Sequence, residues 1–173
     1  MRNVMIVLSL ALAAGLTGCP PADSNQAGPN AAGILESQTK NGLTVTLKAA
    51  TRYLAVGDSL AVNITVTNQT DAPITIKANS GAEALVHLFR NTSVGWEQVK
   101  SFPEMQTMVM NPWVLQAGAS RTFTLNLPIA KDWPTNEPVR ITAEINGLPG
   151  LAPGGVIRVY DTREACNRAK MYL

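Results

Sequence analysis

Three kinds of residue in this chain have the chemistry for a reaction or a metal: an isolated serine, a single histidine and a short run of methionines. Ser59 stands in Gly57-Asp58-Ser59-Leu60. A serine becomes a nucleophile when a histidine takes its proton and a carboxylate orients that histidine. His87 is the one histidine available, and it lies in an apolar stretch, Leu85-Val86-His87-Leu88-Phe89. Glycine and aspartate are ordinary turn residues, and alternation starts at Leu60, so the four residues read as a turn entering a strand. The methionines are Met105, Met108 and Met110. Soft thioethers select Cu(I), and His87 would add an imidazole if the four side chains converged. Methionine also fills irregular gaps in cores, and packing is the favoured reading. Trp96, Trp113 and Trp133 could line a sugar-binding face, since aromatic side chains carry much of a recognition surface, but the first two are expected to pack. Trp133 lies in Lys131-Asp132-Trp133-Pro134, a loop signal, and is the expected exposed contact. One histidine and no grouped carboxylates leave little for an enzyme to build from. The expectation is a non-enzymatic protein with no cofactor beyond a covalent lipid, Cu(I) being the alternative.

The lipid follows from the first residues. Arg2 precedes an apolar run over residues 4–16, interrupted by Ser9 and Gly15. A transmembrane helix needs about 20 apolar residues, so this run is too short. A basic start, a short apolar stretch and small residues are the layout of a secretory signal. The run ends Leu16-Thr17-Gly18-Cys19, which resembles the bacterial lipobox. That resemblance implies cleavage after residue 18 and a diacylated Cys19 as mature N-terminus. Two acyl chains anchor stably where one does not, so the expected partner of Cys19 is membrane lipid. Pro20 stands where an aspartate favours inner-membrane retention in well-studied Gram-negative systems, which leans the expectation toward the outer membrane. With Cys19 acylated, Cys166 is left unpaired, and it is read as a buried bystander rather than a reactive thiol.

Behind the cysteine, residues 19–41 are rich in Pro, Ala, Asn, Gln, Ser and Gly and read as a flexible tether. Residues 42–161 then read as one domain. Leu43, Val45 and Leu47 alternate with polar residues, as do Leu60, Val62, Ile64 and Val66. The same pattern recurs at Phe123, Leu125 and Leu127, and at Val139, Ile141, Ala143 and Ile145. Period-two alternation marks half-buried strands, and turn signals at about ten-residue spacing point to an all-β, antiparallel, immunoglobulin-like β-sandwich. Asp161 and Glu164 suggest a capping box for a short helix within residues 162–173. Net charge is +2 with no basic stripe, so nucleic acid is not an expected partner.

Two resemblances bear on activity. Gly57-Asp58-Ser59-Leu60 spells the signature of the GDSL esterases, whose base and orienting acid lie in an Asp-x-x-His element. This chain has no Asp-x-x-His. Residues 60–76, Leu-Ala-Val-Asn-Ile-Thr-Val-Thr-Asn-Gln-Thr-Asp-Ala-Pro-Ile-Thr-Ile, resemble the strand-turn-strand of bacterial immunoglobulin-like domains, in particular the BsuPI-type proteinase inhibitor family. Segments 95–99 and 115–123 are similar to later parts of that family, whose aromatic-Asp segment has no match in residues 83–89. The resemblance implies a sandwich and, as an alternative activity, protease inhibition. The main expectation is an envelope lipoprotein that binds another envelope protein or supports an assembly. Its contacts would come from an exposed sheet edge or from loops at 68–72, 91–95, 131–136 and 147–155.

Overall fold

A computed structural model describes residues 33–104 and 112–172. The expected signal segment, Cys19, the expected tether up to residue 32 and the three methionines at 105, 108 and 110 lie outside the described residues.

The alternating segments form strands packed as two sheets with a common core. Eleven strands and one helix are described: β1 (Ile34–Lys40), β2 (Leu43–Ala49), β3 (Tyr53–Ala55), β4 (Ser59–Asn68), β5 (Ile74–Ile76), β6 (Ala84–Thr92), β7 (Gly95–Phe102), β8 (Trp113–Leu115), β9 (Ser120–Pro128), β10 (Pro138–Ile145), β11 (Gly154–Tyr160) and α1 (Arg163–Met171). One sheet runs β1-β2-β4-β9, the other β3-β11-β10-β6-β7, and β5 pairs with β8. All pairs are antiparallel except β3 with β11. The chain is thus the all-β sandwich that its alternation implies.

The core is the apolar half of each alternation. Val45, Leu47, Leu60, Val62, Ile64 and Val66 of the four-stranded sheet face Val86, Leu88, Val139, Ile141, Ile145, Ile157 and Val159 of the other, all buried. Burying each such side chain contributes roughly 1.5–3 kcal/mol. Period two then sends every intervening side chain to an outer face, so the core fixes which residues solvent meets.

Three expectations change. The tether ends sooner than its composition suggests: β1 occupies residues 34–40 and pairs with β2 along its length. Its signal is Asn41-Gly42, both at positive φ (51° and 73°), the pair that two-residue hairpin turns demand. Burial of Ile34 completes the strand. A Cβ on Gly155 would sit 2.7 Å from the Ile34 side chain, so a glycine there admits β1 to the sandwich edge. The helix is present, but Thr162 caps it by accepting from the Ala165 backbone N–H, 3.2 Å. Asp161 instead accepts from Asn136 Nδ2, 2.6 Å. That bond, with one from Thr135, holds the Asp161 carboxyl below its ordinary pKa. Trp133 is the third correction. It is only 3% exposed and packs at 5.7 Å against Phe102. Asp132 accepts from Lys100 Nζ, 2.9 Å, which fastens this loop to β7 and leaves its indole pointing inward. The turn residues correctly mark a loop, but a loop can still bury its aromatic.

Candidate functional site

The outer face of the five-stranded sheet carries the most varied chemistry among the described residues. Three strands supply it. In β6, Val86 and Leu88 point to the core, which sends His87 and Phe89 outward. In β10, Arg140, Thr142 and Glu144 occupy the outward positions between Val139, Ile141, Ala143 and Ile145. Register places Thr142 opposite His87 and Arg140 opposite Phe89. In β7, Ser101 pairs with His87, Gln98 with Phe89 and Trp96 with Asn91, past an irregularity at Leu88/Phe89 that absorbs Val99.

These residues form two adjoining groups. In the polar one, His87 Nε2 lies 3.0 Å from Glu144 Oε2 and Nδ1 lies 2.9 Å from Ser101 Oγ. Gln98 Nε2 donates to the same Ser101 oxygen, 3.0 Å. A carboxylate only accepts, so Nε2 carries the proton and, in the neutral ring, Nδ1 accepts from the serine. The bonds then run in one direction: Gln98 to Ser101 to His87, and His87 to Glu144.

This is the connectivity of a serine-histidine-acid triad. Catalysis needs more, namely donors aimed where an oxyanion develops. Ser101 lies within β7, His87 within β6 and Glu144 within β10. The hydrogen bonds tie three neighbouring strands together.

The second group is a cavity of about 220 Å³ lined by Phe89, Trp96, Arg140, Thr142 and Ala152. Trp96, expected to pack, is 40% exposed. Among the described residues the guanidinium of Arg140 has no acidic partner. Glu144 is engaged by His87, and Glu97 by Arg90 at 2.7 Å. Sequence reading passed over Phe89 and Arg140. The available signal was parity, because Phe89 stands out of phase with Val86 and Leu88.

The remaining expected sites fall as follows. Gly57 (φ 91°) and Asp58 form a turn: Asp58 accepts from the Ala55 N–H, 2.9 Å, and pairs with Arg163 of α1, while Ser59 opens β4. Cys166 is a free, buried thiol on α1. His87 cannot ligate copper without giving up a ring-nitrogen bond. No group of three His, Cys, Asp or Glu able to hold a metal is found among the described residues. Of the expected contact loops, 68–72 is built around buried Asn68, whose Nδ2 donates to the Ala72, Leu115 and Gln116 carbonyls. The 91–95 turn is open, with Val94 96% exposed.

No family model matches the chain, and no curated protein matches it significantly. Among solved structures it is similar to the sporulation control protein Spo0M of Bacillus subtilis, with a TM-score of 0.51 and 12% identity, over 71% of this chain and 51% of that one. The chain thus spans about half the length of Spo0M. A β-glucosidase from Listeria innocua aligns at a TM-score of 0.42 and 18% identity, over 75% of this chain and 17% of the enzyme. The alkylpurine DNA glycosylase AlkC of Pseudomonas fluorescens aligns at 0.41 and 13%, over 62% and 28%. The Spo0M likeness bears on the fold alone.

Proposed function

We propose that this chain is a bacterial envelope lipoprotein, anchored by lipid on Cys19, whose immunoglobulin-like sandwich is a non-enzymatic module that binds another envelope protein. The observation that carries this reading is β7. Among the described residues it is an eight-residue strand at the edge of its sheet, flanked by the exposed Val94 and bearing the part-exposed Trp96 and Val99. An unpaired edge offers backbone donors and acceptors to an added strand, and exposed apolar side chains beside it reward the contact. Proteins commonly blunt such edges with charge or proline; the charged side chains of β7 are Glu97, paired with Arg90, and Lys100, paired with Glu104 and Asp132. The anchor supplies the address, and the tether sets the reach.

The test is crosslinking in intact cells, followed by identification of captured proteins by mass spectrometry. One specific partner is expected. It should be lost both in Cys19→Ala, which removes the anchor, and in Val99→Lys, which charges the edge. Capture unchanged in Val99→Lys would remove β7 from the interface. An unchanged mature N-terminus in Cys19→Ala would end the lipoprotein reading.

A further inference from the structure

The cavity beside β7 has a chemistry of its own, separate from strand addition at the edge. Its walls are the rings of Phe89 and Trp96, and Arg140 stands at one side. An arginine without an acid partner next to exposed aromatic surface is half of an ion pair awaiting the other half. Arg158, diagonal to Arg140 across the β10–β11 pair, adds a second cation that has no ion pair among the described residues. The site therefore favours an anion.

Size and surroundings narrow the ligand. At about 220 Å³ the cavity is below the roughly 300–1,000 Å³ that accommodates drug-sized ligands, so it admits one ring. A flat indole face takes the C–H face of a pyranose ring. A guanidinium fork takes a carboxylate through two parallel bonds. Beside the cavity, on the same face, Gln98, His87 and Glu144 form a row of planar polar groups. Gln98 stands opposite Phe89 beside the cavity, and among the described residues its Oε1 is left to accept from a hydroxyl. A purely aliphatic or aromatic acid would leave that row unused.

The geometry points to a saccharide site on the outer face of the five-stranded sheet, selective for a sugar ring that bears a carboxylate. Trp96 stacks on the ring, Arg140 binds the carboxylate, and Gln98, opposite Phe89, receives a neighbouring hydroxyl. This site does not depend on the anchor or on the β7 partner, so cell crosslinking does not test it.

The test is calorimetric and fluorescence titration of the purified full-length chain in detergent. The probes are a uronic-acid tetramer, the neutral tetramer of the same linkage, phenylacetate and tetraglutamate. The acidic sugar is expected to bind at least tenfold more tightly than the neutral one and to change tryptophan emission. Arg140→Gln should abolish the preference for acid, and Trp96→Ala should weaken both sugars at least tenfold. Arg140→Lys should recover part of the acid preference, since it keeps the charge and loses the fork. Thermal melts of each variant verify folding. Equal affinity for the two tetramers, no binding of either, or full affinity in Arg140→Gln would overturn the assignment. Tighter binding of phenylacetate or tetraglutamate would overturn it too, making the cavity a site for apolar acids or acidic peptides.

Discussion

The two outer faces of the sandwich are built by the same alternation and carry opposite chemistry. On the four-stranded sheet, hydroxyls form rows across the strands. Register aligns Thr39, Thr44, Thr67 and Ser120 in one row, and Ser37, Thr46, Thr65 and Thr122 in the next. They bond one another: Ser37 with Thr46, Thr39 with Thr44, Thr65 with Thr122, and Thr67 with Ser120, each at 2.8 Å. Those hydroxyls satisfy one another and present a solvated surface, with Lys48 beside the exposed Leu35 in the adjoining row. The five-stranded sheet instead exposes an indole, a phenyl ring, an imidazole, a carboxylate and an arginine with no acid partner. Strand-forming propensity serves both faces equally. What differs is whether polar groups are matched within the face, and the unmatched face is where a ligand or partner gains something.

Variants separate the faces from each other and from the core between them. The largest effect is expected at the core. Trp133→Ala should cost about 3–5 kcal/mol, as for other buried aromatics. Trp96→Ala should stay within about 0.5 kcal/mol, as exposed positions do. Urea unfolding measures both, and similar losses would mean that Trp96 is a packing residue after all. Next, His87→Ala should destabilise by about 1–2 kcal/mol, because it leaves Ser101 and Glu144 without their shared partner. Neither His87→Ala nor Ser101→Ala should alter hydrolysis of a simple ester by the protein. A serine-dependent rate would restore the triad to catalysis. On the other face, Thr65→Val should shift stability by no more than about 0.5 kcal/mol, since water replaces the lost partner of Thr122. A larger loss would show that the hydroxyl rows act as a network.

The smallest effect is with pH. The hydrogen bond from Lys100 lowers the Asp132 carboxyl below its ordinary 3.8. Hydrogen bonds that Lys100 donates to Glu104 first, and then to Asp132, raise it above its ordinary 10.5. A depressed acid contributes stability above its unfolded pKa and loses it as pH falls through the folded value. A raised lysine contributes below its unfolded pKa and loses it as pH rises through the folded value. The contribution should therefore hold between about pH 4 and 10 and fade at both ends. Because Asp132 is largely exposed to solvent, the contribution should stay under about 1 kcal/mol. Melting curves of wild type and Lys100→Met across that range should differ in the middle and converge at the extremes.

Much of the fold was legible. Four of the strands announced themselves by alternation, and Asn146-Gly147 and Gln116-Ala117-Gly118 marked turns that are present. β1 was hidden because the bulk composition of residues 19–41 outweighed Asn41-Gly42, whose positive φ values make the hairpin. β7 was hidden because a strand at an edge needs little apolar residue on either face. The site was harder still. Trp96 and Trp133 are the same residue type in equally polar surroundings, yet one is exposed and the other buried.

Alternation in four segments determined that this chain folds as a β-sandwich and which half of those strands enters the core, because side-chain direction in a strand repeats every two residues. The resemblance at Cys19 set an expected address by similar local means. Tertiary structure decided what sequence spacing does not encode. Pairing of β6 with both β7 and β10 brought Ser101, His87 and Glu144 into one hydrogen-bonded line and set Arg140 beside Phe89 and Trp96. Those contacts depend on strand order and register, and both are settled by how two sheets close over a shared core.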